Sequence, residues 1–226
     1  MKRSCGASLI VLALMFSVAV AAEHRLEVAD QAAPSDGVSA AIGGELSTSC
    51  LKVLRGAKRP VCEIWLRKAW PIKGDFAPSG EVLYPFAPGE LIGLVRYPQK
   101  GEDFRGQEIA AGVYTLRYAQ QPVDGNHVGT SETRDFLLLL RAADDTALAA
   151  PDEQTLIKLS TQASGTTHPA MLCLLVAGEG ATDAPEIRHH EERDLWSVRV
   201  VGLGAVSEKQ QALPVRLVVV GTAEEA

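Results

Sequence analysis

The sequence lacks the short motifs that would name a reaction. It has no Cys-x-x-Cys pair, which argues against zinc ribbons and thioredoxin-type redox sites. No Gly-x-Ser-x-Gly turn is present to hold a serine nucleophile, and no His-Glu-x-x-His run is present to hold zinc. The glycine-bounded segment 101–106 lacks the lysine of a phosphate-binding loop. Motif content therefore favours a protein that is not an enzyme.

The chain also has fewer basic than acidic residues. After residue 22 it contains 20 Lys and Arg against 28 Asp and Glu, a formal net charge of −8. Binding to nucleic acid or to an anionic membrane surface depends on Lys and Arg. The charge balance therefore argues against both kinds of partner.

The one long apolar run lies near the N-terminus. Residues 9–20 follow Lys2 and Arg3 and lead into the small residues Ala21 and Ala22. A basic head, about a dozen apolar residues and a small-residue exit together predict a secretory signal peptide. The run is shorter than the about 20 residues that a membrane-spanning helix needs. We expect residues 1–22 to be removed on export, which leaves a periplasmic or extracellular chain without a transmembrane segment.

The rest of the sequence predicts one mainly β domain. Residues 23–45 have no sustained hydrophobic period and are expected to form a mobile leader. In residues 46–226, short apolar segments rich in β-branched residues are separated by Gly and Pro. This pattern predicts an all-β fold, an antiparallel β-sandwich or jelly roll. The strand candidates are residues 61–68, 82–86, 91–97, 113–119, 136–141, 170–177, 195–201 and 215–221.

Two details refine this prediction. Residues 136–140 and 215–220 are almost continuously apolar, which indicates central strands covered on both faces. One short helix is predicted over residues 152–161, because Pro151 suits a first helical turn and Leu156 and Leu159 recur on one side. Gly165 follows as the expected helix end.

Three cysteines follow the signal peptide. Cys50 and Cys62 flank a short basic turn and are candidates for a disulfide, since disulfides persist in exported proteins. Three buried thiols are the open alternative. Cys173 lies within an apolar segment and is expected to be a buried thiol.

Candidate ligand-binding residues lie in two polar loops, each directly before an apolar strand. Loops cluster at the two ends of a sandwich, so these two loops are expected to face each other. The same residue types also build ordinary turns, and a purely structural role is the alternative. The candidates are Asp124, Asn126, His127, Arg134, Asp135 and His168.

A metal site is a second hypothesis. His127, His168 and His190 would form a three-histidine centre for a divalent metal if three separate loops converged. Adjacent residues of a strand point to opposite faces, so only one of His189 and His190 can join such a site.

Two stretches are similar to a bacterial family of small exported proteins known as a domain of unknown function. One is Glu63-Ile64-Trp65, followed some fifty residues later by the turn and strand of residues 109–116. The other pairs a strand containing Trp196 with a closing strand at residues 214–221. The resemblance implies an antiparallel β fold. It implies no established activity and carries over no functional residues.

These observations predict an exported, non-catalytic binding or envelope-associated module. Its expected partner is a small molecule, a glycan or an envelope protein, and no cofactor is expected. The alternative is a metal-dependent exported enzyme that uses the loop histidines.

Overall fold

The structure is a computed structural model and describes residues 23–123, 131, 133–178 and 182–223. The predicted signal peptide lies outside these ranges. Strands account for 47% of the residues and helices for 11%, so the predicted mainly β class is confirmed. The strands are β1 (His24–Asp30), β2 (Leu46–Arg55), β3 (Arg59–Arg67), β4 (Trp70–Pro71), β5 (Leu91–Tyr97), β6 (Gly101–Glu102), β7 (Glu108–Ile109), β8 (Gly112–Gln120), β9 (Asp135–Arg141), β10 (Met171–Leu175), β11 (Glu186–His190), β12 (Leu195–Val206) and β13 (Lys209–Val220). The helices are α1 (Ala40–Glu45), α2 (Glu153–Ser164) and a 3₁₀ turn at Glu191–Arg193.

One curled sheet contains eleven of these strands. Its order is β1-β2-β3-β5-β8-β9-β10-β13-β12-β11 with antiparallel neighbours, and β4 pairs in parallel with β12. His24 at one edge packs against Trp196, close to the other edge, with ring centroids 5.0 Å apart. The two halves of the sheet therefore face each other. The two layers of the predicted sandwich are halves of a single sheet.

The inner face of the curled sheet carries the main hydrophobic core. Side chains alternate between the two faces of a strand, so one residue in two points inward. Ile64 of β3 and Val198 of β12 belong to the same buried cluster although their strands are far apart in the sheet order. Trp70 and Phe86 fill the interior with ring centroids 5.6 Å apart. The curl of the sheet encloses this core.

The outer face is covered in patches by the two helices. Ile42 of α1 packs with Trp65 and Leu94 over β3 and β5. Leu156 of α2 packs with Leu138 and Leu140 over β9. All five residues 136–140 are buried, which confirms the prediction of a central strand covered on both faces.

The predicted helix is present as α2, and its ends follow its sequence. Asp152 caps the start, where its Oδ1 accepts a hydrogen bond from the Thr155 N–H at 2.9 Å. Gly165 ends the helix in the left-handed conformation with φ of 69°. Within the described part of the chain, neither helix is long and apolar enough to cross a bilayer.

The structure differs from the sequence prediction at residues 23–45. This segment was expected to be a mobile leader, yet it contains β1, which pairs with β2 over seven residues, and α1. Ser39 caps α1 by accepting a hydrogen bond from the Ile42 N–H at 3.3 Å. The pairing of β1 is made by its backbone, and most of its side chains are not buried, so hydrophobic periodicity did not reveal it.

The strand predicted at residues 82–86 is also wrong. Tyr84 and Phe86 are buried, which explains the apolar pattern, but the segment joins no sheet. Its backbone groups bond elsewhere: the Leu83 N–H donates to Asp135 Oδ2 at 2.8 Å. The apolar run is therefore a buried irregular segment.

The proposed disulfide between Cys50 and Cys62 is wrong. Both are free, buried thiols, and Cys50 lies opposite Trp65 while Cys62 lies opposite Val53. Cys50 packs on the outer face and Cys62 belongs to the inner core. Two side chains on opposite faces of a sheet cannot be bridged. Cys173 is buried, as predicted.

Candidate functional site

A cavity of about 480 Å³ lies on the outer face of the sheet, beside α2. This volume falls within the range of about 300–1,000 Å³ that is typical of small-molecule sites. It is bounded by strands β8, β9 and β10, by α2, and by the loops around residues 105 and 168.

The floor of the cavity is apolar because of the strand register. Ala119 lies directly opposite Phe136, and Leu138 lies directly opposite Met171, so all four side chains share one face. The small side chain of Ala119 stands among three large ones. It leaves the room that a longer side chain would fill.

The wall of the cavity is formed by α2. Leu156 packs on Leu138, and Ile157 lies at the open side with 42% of its surface exposed. Ser160 holds the helix to the start of β10, because its Oγ donates to the Ala170 carbonyl at 2.8 Å. The helix is thus fixed at one side of the floor, with Leu156 against Leu138.

Arg134 brings a guanidinium to the rim. Its Nε donates to the Gln121 carbonyl at 2.8 Å, and its backbone N–H donates to the Glu81 carbonyl at 2.7 Å. Among the described residues, Arg134 forms one ion pair, with Glu81, whose carboxylate lies 3.9 Å from Nη1 and whose side chain is 74% exposed. Such an exposed pair contributes about 0–1 kcal/mol, so the charge of Arg134 is weakly compensated.

Arg105 brings a second guanidinium and stands in a turn organised by buried Asp103. The two Asp103 carboxylate oxygens accept hydrogen bonds from the backbone N–H groups of Arg105, Gln107 and Met171, at 2.9, 2.8 and 3.1 Å. The Gln107 side chain donates to Asp103 as well, at 2.8 Å. Burial raises the pKa of Asp103, although these donors act in the opposite direction. The turn that carries Arg105 is therefore well fixed.

His168 stands exposed at the rim on a short loop held by hydroxyl groups. Ser164 Oγ donates to the His168 carbonyl at 2.6 Å, and the His168 N–H donates to Thr166 Oγ1 at 3.0 Å. Gln107 also donates to the Pro169 carbonyl at 3.0 Å, which joins this loop to the Arg105 turn. The remaining polar residues that line the cavity are Gln120, Gln121 and Glu153.

The structure brings two of the candidate site residues together. Arg134 and His168 line the same cavity, each on a polar loop that precedes a strand. Three other candidates, Asp124, Asn126 and His127, lie outside the described residues.

Asp135 does not line the cavity. Its side chain points to the inner face, where Oδ1 accepts a hydrogen bond from the Tyr118 hydroxyl at 2.5 Å and Oδ2 accepts one from the Leu83 N–H at 2.8 Å. Burial raises the pKa of Asp135, and the hydrogen bond from Tyr118 is the largest opposing effect. Asp135 therefore connects β9 to β8 and to the irregular segment 82–86.

His190, the alternative metal ligand, lies apart from the cavity. It stands on β11, and its Nε2 lies 2.8 Å from Ser197 Oγ on β12. Among the described residues, no group of three His, Cys, Asp or Glu side chains is placed to hold a metal ion.

Sequence reasoning missed Arg105 and the floor of the cavity. Residues 101–106 lack the lysine of a phosphate-binding loop, but the Asp103-x-Arg105 pattern between two glycines is typical of a tight turn that carries a charge. Face alternation in β9 predicts which of its residues share the floor. The wall of the cavity is formed by α2, and its position depends on tertiary packing.

We found no match to this chain among protein-family models, curated proteins or solved structures. The resemblance to a family of small exported proteins therefore stays a prediction.

Proposed function

We propose that the protein is a non-catalytic binding module that holds a small, largely apolar molecule in the cavity beside α2. The observation that carries the proposal is the combination of an apolar floor with a polar rim. Met171 and Ile157 offer apolar surface beside the buried side chains of Phe136 and Leu138, while Arg105 and Arg134 stand at the edge. Sites for small molecules are typically apolar cavities with few, well-placed polar groups.

The rigidity of the surroundings also supports this proposal. The loop of His168, the turn of Arg105 and the helix α2 are all held by hydrogen bonds to buried groups or to the sheet. A site formed before the ligand arrives loses less conformational freedom on binding, which favours affinity.

Binding of an uncharged fluorescent probe, N-phenyl-1-naphthylamine, tests the proposal. We expect saturable binding to the wild type, with a fluorescence increase in the apolar cavity. Ala119→Phe fills the space at the floor and should weaken binding at least about tenfold, the effect of losing about 1.4 kcal/mol of contact. Ala143→Phe adds the same side chain at an exposed position outside the cavity and serves as the control.

A second variant covers the case in which Ala119→Phe lowers stability. Ile157→Lys replaces a partly exposed wall residue with a charged one, and exposed helix positions tolerate such changes. It should weaken probe binding without a change in thermal midpoint. Equal binding by the wild type and both cavity variants would show that the probe does not use this cavity and would contradict the proposal.

We also propose that the protein acts outside the cytoplasm. The support is the basic head, apolar run and small-residue exit of residues 1–22. N-terminal sequencing of protein recovered from outside the cytoplasm should begin at Ala22 or Glu23. Recovery of the intact N-terminus from a membrane fraction would contradict export with cleavage.

A further inference from the structure

The rim of the cavity carries more positive than negative charge. Two guanidiniums, of Arg105 and Arg134, face one rim carboxylate, Glu153. Within the described residues, Arg105 makes no ion pair and Arg134 makes one, with Glu81 at 3.9 Å. The Asp135 carboxylate also lies near Arg134, but it is buried on the inner face, where it accepts hydrogen bonds from Tyr118 and Leu83. Glu153 stands exposed in the first turn of α2, where the helix dipole favours a negative charge. The positive charge of the two arginines is therefore only partly compensated by negative charge at the rim.

Both arginines are held at the rim by buried or backbone groups. Arg134 uses Nε to bind the Gln121 carbonyl, so its Nη groups are the donors left for a ligand. The backbone of Arg105 is fixed by Asp103, which is 1% exposed. A guanidinium has several N–H donors in a fixed plane and binds a carboxylate through two parallel hydrogen bonds.

The apolar floor next to these donors selects the shape of the anion. A fully hydrophilic anion would leave the apolar floor of the cavity facing water, whereas a neutral apolar molecule would leave the Arg105 and Arg134 guanidiniums at the rim without a negatively charged ligand group. At about 30 Å³ per non-hydrogen atom, a cavity of about 480 Å³ holds roughly 16 such atoms. This size suits one acidic group on a medium-length hydrocarbon body.

We propose that the ligand of this cavity is an amphipathic monocarboxylate, whose carboxylate binds Arg105 and Arg134 and whose hydrocarbon body lies on the floor formed by Phe136, Leu138 and Met171. This inference rests on the proposed function, because it names the class of molecule that the same cavity holds. It assigns Arg105 and Arg134 as the residues that set specificity for charge.

Competition against N-phenyl-1-naphthylamine with octanoate and 1-octanol tests the inference in the full chain. The two competitors share the hydrocarbon body and differ in charge. At pH 7 and low salt, octanoate should displace the probe at a concentration at least about tenfold lower than octanol, as expected for charged hydrogen bonds of about 1.5–3 kcal/mol.

Three charge variants separate the roles of the rim residues. Arg105→Gln and Arg134→Gln should each weaken the binding of octanoate about tenfold and leave the binding of octanol within about twofold of the wild type. Glu153→Gln is the charge-reversed comparison, since it removes a negative charge from the rim, and it should tighten octanoate binding while leaving octanol binding within about twofold of the wild type. Added salt should weaken octanoate more than octanol, because ions screen exposed charges.

The possible failures are distinguishable. If the probe binds in the cavity but octanoate and octanol displace it equally, the ligand is not selected by charge and this inference is wrong while the proposed function stands. An equal loss of affinity for octanoate and octanol in the two arginine variants would also overturn the inference, since a charge-specific role affects the binding of the carboxylate alone. If the probe does not bind to the wild type, the proposed function is contradicted, and the inference that rests on it is contradicted with it.

Discussion

Arg117 and Asp145 form a buried ion pair, with Arg117 Nε 2.8 Å from Asp145 Oδ2 and Nη2 2.9 Å from Oδ1. Arg117 is 0% exposed and also donates to the carbonyls of Gly89 and Leu148, at 3.0 and 3.2 Å. Asp145 accepts a further hydrogen bond from Thr115 Oγ1 at 2.5 Å. One side chain of β8 thus holds two loops, around residues 89 and 148, to the outer face of the sheet.

Arg117→Met should lower the free energy of unfolding by about 3–5 kcal/mol, because it leaves the Asp145 carboxylate buried without its counter-charge. Urea unfolding at pH 7 measures this loss. Lys100→Gln is the matched control: it breaks the Lys100–Glu108 pair, whose side chains are 71% and 65% exposed, and should cost at most about 1 kcal/mol. Equal midpoints for both variants would show that the Arg117 pair does not hold the loops.

Leu138→Asp should prevent stable folding. Leu138 is 6% exposed between the sheet and α2, and an unpaired charge at such a position is among the few changes that cost more than about 4 kcal/mol. Val123→Asp makes the same substitution at a side chain that is 80% exposed and should stay within about 0.5 kcal/mol of the wild type. A folded Leu138→Asp protein with the parental thermal midpoint would contradict the central position of β9.

The sequence predicted the strands whose side chains carry the core, and missed those held by their backbone. Residues 91–97 were predicted as a strand and form β5 with the same bounds. By contrast, β1 has mostly exposed side chains, including Val28 at 54%, so no apolar period marks it. β1 joins the sheet through backbone hydrogen bonds to β2, and residue composition does not reveal this pairing.

The candidate site was predictable only in part. Arg134 and His168 line the same cavity, but not because their loops lie at one end of the sheet: β9 and β10 are antiparallel, so the loops that precede them lie at opposite ends of the strand pair. The expectation that the two loops face each other at one end is therefore wrong, and the two residues border the floor of the cavity from opposite ends. Asp135 is turned away because it is the next residue along β9, and side chains alternate between faces. Arg105 and Ile157 join the site only through the packing of a loop and a helix on the sheet, which is a tertiary feature.

Asp135→Ala should lower stability and leave binding intact. Truncation removes the acceptor of the Tyr118 hydroxyl and the Leu83 N–H and should cost about 1–3 kcal/mol, since buried donors without partners are penalised. Burial raises the pKa of Asp135, so the folded state holds this proton more tightly than the unfolded state does. The resulting contribution to stability is full below about pH 4 and is lost as the pH rises through the raised pKa, a dependence that the variant lacks.

Urea unfolding between pH 3.5 and 7 and probe titration at pH 7 check these two expectations for Asp135. Asp36→Ala, at an exposed position, is the control and should change neither quantity. A variant with normal stability and weakened binding would instead assign Asp135 to the cavity.

The thiols of Cys50 and Cys62 should stay reduced and unreactive in the folded protein. Burial raises the pKa of Cys50 to about 11 and that of Cys62 to about 12, with nearby Glu63 acting in the same direction. Thiol reagents attack the thiolate, so the native protein should react slowly at pH 8. For a chain that begins at residue 23, titration in denaturant without reductant should find three thiols, because Cys50 and Cys62 face opposite sides of the sheet. A single reactive thiol would contradict this prediction and would support a disulfide between Cys50 and Cys62.

The same pKa shifts predict how stability depends on alkaline pH. The unfolded chain loses its thiol protons near pH 9, while the folded chain keeps them to about pH 11–12. A raised pKa in the folded state gives a stabilisation that is full below pH 9 and is lost as the pH rises toward the folded values. The urea midpoint of the wild type should therefore decrease as the pH is raised from 8.5 to 10.5. The urea midpoint of Cys62→Ala should decrease less steeply, because this variant has one such thiol proton fewer. Parallel curves for the wild type and Cys62→Ala would show that the Cys62 thiol titrates alike in both states, and hence that it is not buried in the inner core.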